Sequence, residues 1–89
     1  MSITQNITPT FLVDVRTPEE FASGSVVHAV NIPLDEIQNR IEEFKDKENI
    51  TVFCRSGARS SLAQQLLEQH GIVGVTNGGA LSDVLATYN

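Results

Sequence analysis

The chain has 89 residues, 40% of them hydrophobic, and a formal net charge of −5. That length allows one small domain, 1–89, and the acidic balance disfavours nucleic acid and anionic membranes as partners. The single cysteine excludes an internal disulfide and a CxxC dithiol pair. It points to a reducing, cytoplasmic setting, and with His28 and His70 it makes no metal-ligand spacing.

Residues 1–6 lack a basic stretch followed by an apolar core, so no signal peptide is expected. No apolar run approaches the length of a membrane span. Residues 11–15, Phe-Leu-Val-Asp-Val, form a nearly continuous apolar run, the pattern of a strand buried on both faces. Thr17, Pro18 and Glu20 then spell a helix start: a cap, a proline at the first position and the acidic half of a capping box. The helix should stop near Gly24.

A second strand is expected within 26–32, centred on Ala29-Val30-Asn31 and ended by Pro33. Leu34, Ile37, Ile41 and Phe44 follow at helical offsets, with an acidic opposite face that reads as solvated surface. Residues 45–49 read as a turn. Residues 50–53 read as a third strand, leading into Cys54. A helix follows from Ala58 to His70, with Ala58, Leu62 and Leu66 in line and Gly71 ending it. A last strand is expected over 72–76, a turn at Asn77-Gly78-Gly79 and a short helical tail over 80–86. This alternation predicts an α/β fold, a parallel sheet of four to five short strands with helices on both faces. Ligands of such sheets bind beyond the strand carboxyl ends. Asp14, Arg16, Asn31, Cys54 and the segment 77–79 should therefore share one edge.

Cys54 stands where a strand, a glycine-containing loop and a helix N-terminus meet. A free thiol is mostly protonated at neutral pH; helix N-termini and nearby cations favour the thiolate. The segment Cys54-Arg55-Ser56-Gly57-Ala58-Arg59-Ser60 supplies both. Unpaired amides of the first helical turn can surround the sulfur as an anion nest, and Gly57 permits the necessary twist. Arg55 and Arg59 oppose the helix dipole at roughly 0.3–1 kcal/mol each, a poor choice for stability alone. Their planar forks suit an oxyanion. The alternative, a thiol that merely fills space at a strand end, does not explain the paired arginines.

Four motifs in order resemble the single-domain rhodaneses. They are residues 12–21 (Leu-Val-Asp-Val-Arg-Thr-Pro-Glu-Glu-Phe), Gly24 to Pro33 with Ala29-Val30-Asn31-Ile32-Pro33, the Cys54 to Ser60 loop, and Val75-Thr76-Asn77-Gly78-Gly79. Together they cover most of the chain from Phe11 onward. The resemblance implies a sulfurtransferase that moves the outer sulfur of thiosulfate, or a related small anion, to cyanide, a small thiol or a protein thiol. Cys54 would carry the sulfur as a persulfide. Arg55, Ser56, Gly57, Ala58, Arg59 and Ser60 would cradle sulfur and donor, with Arg59 on the sulfonate oxygens and Asp14 and Arg16 in support. No cofactor, metal or separate general base is implied.

Other readings stay beside this one. A relay module would take its sulfur from a protein donor, and a non-catalytic interaction domain would not need Cys54 and both arginines. Phosphatases and arsenate reductases that resemble this fold carry an arginine six positions after the cysteine. Arg59 stands five positions on, in a loop better sized for one sulfur atom. The Asp14 and Arg16 pair also reads as scaffold for the first strand-to-helix turn, with Glu20 as a further partner. His70 lies a whole helix from Cys54 and is assigned no chemistry. Ser25 stands where the family commonly has histidine, and His28 where it has a small residue. Ala80-Leu81-Ser82-Asp83 replaces a frequent tryptophan segment, so the C-terminal lid should pack differently.

Overall fold

The structure is a computed structural model and describes residues 10–88. The N-terminal stretch read for a targeting signal lies outside them. Four strands form one parallel sheet in the order β2-β1-β3-β4: β1 (Phe11–Asp14), β2 (Val30–Asn31), β3 (Ile50–Cys54) and β4 (Val75–Ala80). Three α-helices accompany them: α1 (Pro18–Ala22), α2 (Ala58–Gln69) and α3 (Leu81–Tyr88).

The central strands explain the layering. Successive side chains of a strand point to opposite faces. On one face Val13, Val52 and Cys54 join Ile37, Phe44, Ala63 and Leu67, so α2 covers that side. On the other, Leu12 and Phe53 pack with Val26 and Val84, and Leu81 and Leu85 of α3 lie against them. The C-terminal segment thus packs through the aliphatic side chains of α3. The Asp83 carboxylate accepts the Ala80 amide at 3.2 Å, fixing the start of that helix. Among the described residues no helix is long and apolar enough to cross a membrane.

The capping box before α1 forms as the sequence predicts. The Glu20 amide donates to Thr17 Oγ1 at 3.2 Å and the Thr17 amide donates to Glu20 Oε1 at 3.0 Å.

Two elements differ from expectation. The helix expected from Leu34 to Phe44 is instead two 3-10 segments, Leu34–Glu36 and Gln38–Glu43, the second broken at Arg40. The spacing is compatible with either form. A 3-10 turn aligns residues three apart. Leu34 to Ile37 and Ile41 to Phe44 are such steps, and the single four-residue step spans Arg40. That side chain is held by Glu43 at 2.6 Å and Glu36 at 3.3 Å.

The last strand is also displaced. It runs over Val75–Ala80 rather than 72–76, and Asn77-Gly78-Gly79 lies inside it. Ile72 is held back by the end of α2, its amide donating to Leu67 O at 3.0 Å. The glycines mark a bulge, not a turn. Val52 of β3 pairs Asn77 while Phe53 pairs Gly79, which leaves Gly78 as the extra residue. A Cβ at Gly78 would lie 2.9 Å from Thr51 Cγ2 and 3.0 Å from Val84 Cγ2, so only glycine lets α3 close down on the sheet there.

Candidate active site

The site forms at the carboxyl ends of β1, β2 and β3, where Asp14, Asn31 and Cys54 end their strands. Cys54 is 1% exposed. Its sulfur faces the start of α2. The Gly57 amide donates to Sγ at 3.0 Å and the Ser60 amide at 3.4 Å. These are donors that the first helical turn leaves without intrahelical partners. Gly57 caps α2 in the left-handed region, with φ of 99°, which a side chain would resist.

The thiol of Cys54 also lies 3.6 Å from Ser60 Oγ. Burial pushes this thiol up. Hydrogen bonds from the Ser60 side chain and from the amides of Ser60, Ser56 and Gly57 outweigh burial, and its pKa falls below the ordinary thiol value. The charged form is thus favoured by backbone dipoles more than by side-chain cations. Ser60 is buried and has two acceptors for its proton, Gly57 O at 3.0 Å and Asn77 Oδ1 at 2.7 Å. The Gly79 amide donates to the same Asn77 oxygen at 2.9 Å. The bulge in β4 therefore carries Asn77 up to the cysteine loop. The sequence places 77–79 on the Cys54 edge, as a turn; that Asn77 reaches Ser60 from a bulge within a strand was not legible in it.

The two loop arginines part company. Arg55 is exposed and, among the described residues, makes no ion pair. Arg59 donates from Nη1 to Glu20 Oε1 at 2.8 Å and from Nη2 to Glu20 Oε2 at 3.0 Å. Its expected place on a sulfonate is thus taken here by an internal carboxylate. The Arg59 guanidinium, with Thr17 behind it, holds the Glu20 carboxyl down at about 2. Glu20 offers a capping residue in the sequence; its reach to Arg59 across 39 positions has no local signal.

Asp14 and Arg16 form a separate buried unit. Arg16 Nη2 donates to Asp14 Oδ2 at 2.6 Å and its Nε donates to Oδ1 at 2.9 Å. The hydrogen bonds to Asp14 raise the Arg16 pKa further. Ser25 Oγ donates to Asp14 Oδ2 at 2.7 Å, and Arg16 Nη2 donates to Gly24 O at 2.8 Å. Asn31 Nδ2 reaches the carbonyls of Asp14 and Arg16 at 2.9 and 3.0 Å. The cluster ties the β1–α1 turn to the segment before β2 and, among the described residues, makes no hydrogen bond or ion pair with Cys54. Ser25, in place of the family's common histidine, is one of its members.

The family model for the rhodanese-like domain matches residues 2–82. The chain belongs to the rhodanese-like domain family. It is 38% identical over 74 residues to a thiosulfate sulfurtransferase of Escherichia coli, covering 81% of this chain and 71% of the relative. A sulfurtransferase of Allochromatium vinosum is 37% identical over 86 residues, with 91% and 80% covered. A human single-domain sulfurtransferase superposes with a TM-score of 0.77 at 29% identity, covering 90% of this chain and 84% of that one. The rhodanese-like architecture, a parallel sheet flanked by helices, is therefore both observed and shared.

Proposed function

We propose that the protein is a sulfurtransferase that takes the outer sulfur of thiosulfate onto Cys54 and passes it to cyanide or a thiol. The observation that carries this reading is the convergence of the Gly57 and Ser60 amides on Cys54 Sγ at 3.0 and 3.4 Å. Donors so placed stabilise negative charge on sulfur without a general base.

The first step is displacement. The Cys54 thiolate attacks the outer sulfur, the sulfur–sulfur bond of thiosulfate breaks, and sulfite leaves with the electron pair. Cys54 then carries a persulfide, and the same amides face the charge of its terminal sulfur. In the second step cyanide or a thiolate attacks that sulfur and the Cys54 thiolate departs. The chain has one cysteine, so the persulfide has no internal thiol to close on, and the acceptor comes from outside.

An intact mass after incubation with thiosulfate tests the proposal. A gain of one sulfur that cyanide removes as thiocyanate is expected. No adduct, or an equal adduct on Cys54→Ala, overturns it.

A further inference from the structure

Arg59 is the loop cation best placed to meet a donor, yet both of its terminal nitrogens are engaged. Glu20 Oε1 accepts from Arg59 Nη1 at 2.8 Å, from the Thr17 amide at 3.0 Å and from Thr17 Oγ1 at 3.2 Å, while Oε2 accepts from Nη2 at 3.0 Å. The carboxylate is therefore not a drifting surface group. It is held by the first turn of α1 and presents to Arg59 the same two-oxygen edge that a sulfonate would. With a pKa of about 2, it stays ionised through the neutral range. The pair lies close enough to the thiolate for the Cys54 charge to raise the Arg59 pKa.

We propose that Glu20 sets donor specificity, by occupying the anion-binding edge of Arg59 and so weakening small oxyanion donors relative to alkyl persulfide donors, which carry no sulfonate. This rests on the sulfurtransferase reading above and narrows its substrate class. Two further features point the same way. The net charge of −5 repels a dianion at long range. A groove of about 240 Å³ runs along Arg59 and is walled by Val15, Pro33 and Leu34, with Thr17 and the Asp35 carboxylate completing it. Apolar walls suit the organic part of an alkyl persulfide better than a sulfonate. With an alkyl persulfide in its protonated form, the Cys54 thiolate attacks the outer sulfur, the sulfur–sulfur bond breaks, and the alkyl thiolate leaves with the electron pair. Cys54 gains the S–H group, and atoms and charge balance.

Anion binding can be measured apart from sulfur transfer. On a Cys54→Ser background, calorimetry with thiosulfate compares the parent with Glu20→Gln, which keeps an oxygen for the capping box. Release of Arg59 is expected to tighten thiosulfate about tenfold, the scale of one charge-assisted contact. Adding Arg59→Gln should erase the gain. With Cys54 restored, Glu20→Gln should speed persulfide formation from thiosulfate about tenfold and leave methyl persulfide as donor within about twofold. Unchanged or weaker thiosulfate binding in Glu20→Gln overturns the proposal, as does a gain that survives Arg59→Gln. Tighter binding without sulfur uptake from either donor upholds the Glu20 gate and overturns the transfer chemistry instead.

Discussion

The side-chain oxygen of Asn77 lies 2.7 Å from the hydroxyl of Ser60, and that hydroxyl lies 3.6 Å from the Cys54 sulfur. In the thiol form Sγ–H donates to Ser60 Oγ, and the Ser60 proton goes on to Asn77 or Gly57. Once the thiol ionises, the same hydroxyl can turn its proton to the thiolate, because Asn77 Oδ1 keeps the Gly79 amide as a donor.

This relay makes a prediction for Ser60→Ala. The variant loses one of the contacts that lower the Cys54 pKa, so the pKa should rise. A hydrogen bond to a charged group contributes about 1.5–3 kcal/mol, and thiol alkylation at neutral pH should slow by about tenfold or more. The pH dependence of iodoacetamide alkylation reads both effects. An unchanged profile would show that backbone amides alone hold the thiolate.

Asp14 and Arg16 should behave as scaffold. Removing one partner of a buried ion pair leaves an uncompensated charge and costs about 3–5 kcal/mol. Asp14→Ala strands Arg16, which is 5% exposed, and also frees Ser25. Urea unfolding should show a loss of that size. In the fraction that remains folded, Cys54 alkylation should keep its pH profile, since the pair makes no hydrogen bond to the sulfur among the described residues. A shifted thiol pKa without lost stability would assign the pair to the chemistry.

Acid should weaken the Glu20–Arg59 pair in a defined window. The Glu20 carboxyl falls from 4.5 to about 2 in the folded chain. A depressed carboxyl contributes stability above its unfolded value and loses it as pH falls through the folded one. The stability difference between the parent and Glu20→Gln should therefore be constant above about pH 5 and shrink toward about pH 2. Thermal melts of both across that range give the comparison. A constant difference down to pH 2 would mean that the pair does not form.

The parts of this architecture that were legible in the sequence are those with local causes. Thr17, Pro18 and Glu20 announce α1 because a capping box is written within four residues. Cys54 stands out because strand, loop and helix patterns meet on it. What stayed hidden depends on distant partners. The bulge that places Asn77 beside Ser60 is set by the pairing of β4 with β3 and by the close approach of Thr51 and Val84 to Gly78. In sequence the paired glycines read as a turn on the Cys54 edge, not as a bulge within a strand. The break at Arg40 is likewise invisible to periodicity, since offsets of three and four fit an α-helix equally well.

Gly57 offers the sharpest separation of fold from site. Its φ of 99° lies in the region where a side chain costs about 1–2 kcal/mol, and its amide is the donor nearest to Sγ. A Cβ there would meet Gly79 Cα at 3.6 Å and Gly79 C at 3.8 Å, both ordinary contacts, so Gly57→Ala has room for its methyl group. The variant should fold with a loss of that size, because α2 is anchored through Ala63 and Leu67. Relief of the strain, however, rotates the amide away from the sulfur. The Cys54 pKa should then rise and persulfide formation from thiosulfate at neutral pH should fall about tenfold, as for one lost charge-assisted donor. Raising the pH should recover most of that rate by ionising the thiol directly. A loss of rate that high pH does not restore would show that the amide serves the departing sulfite or the persulfide rather than the thiolate.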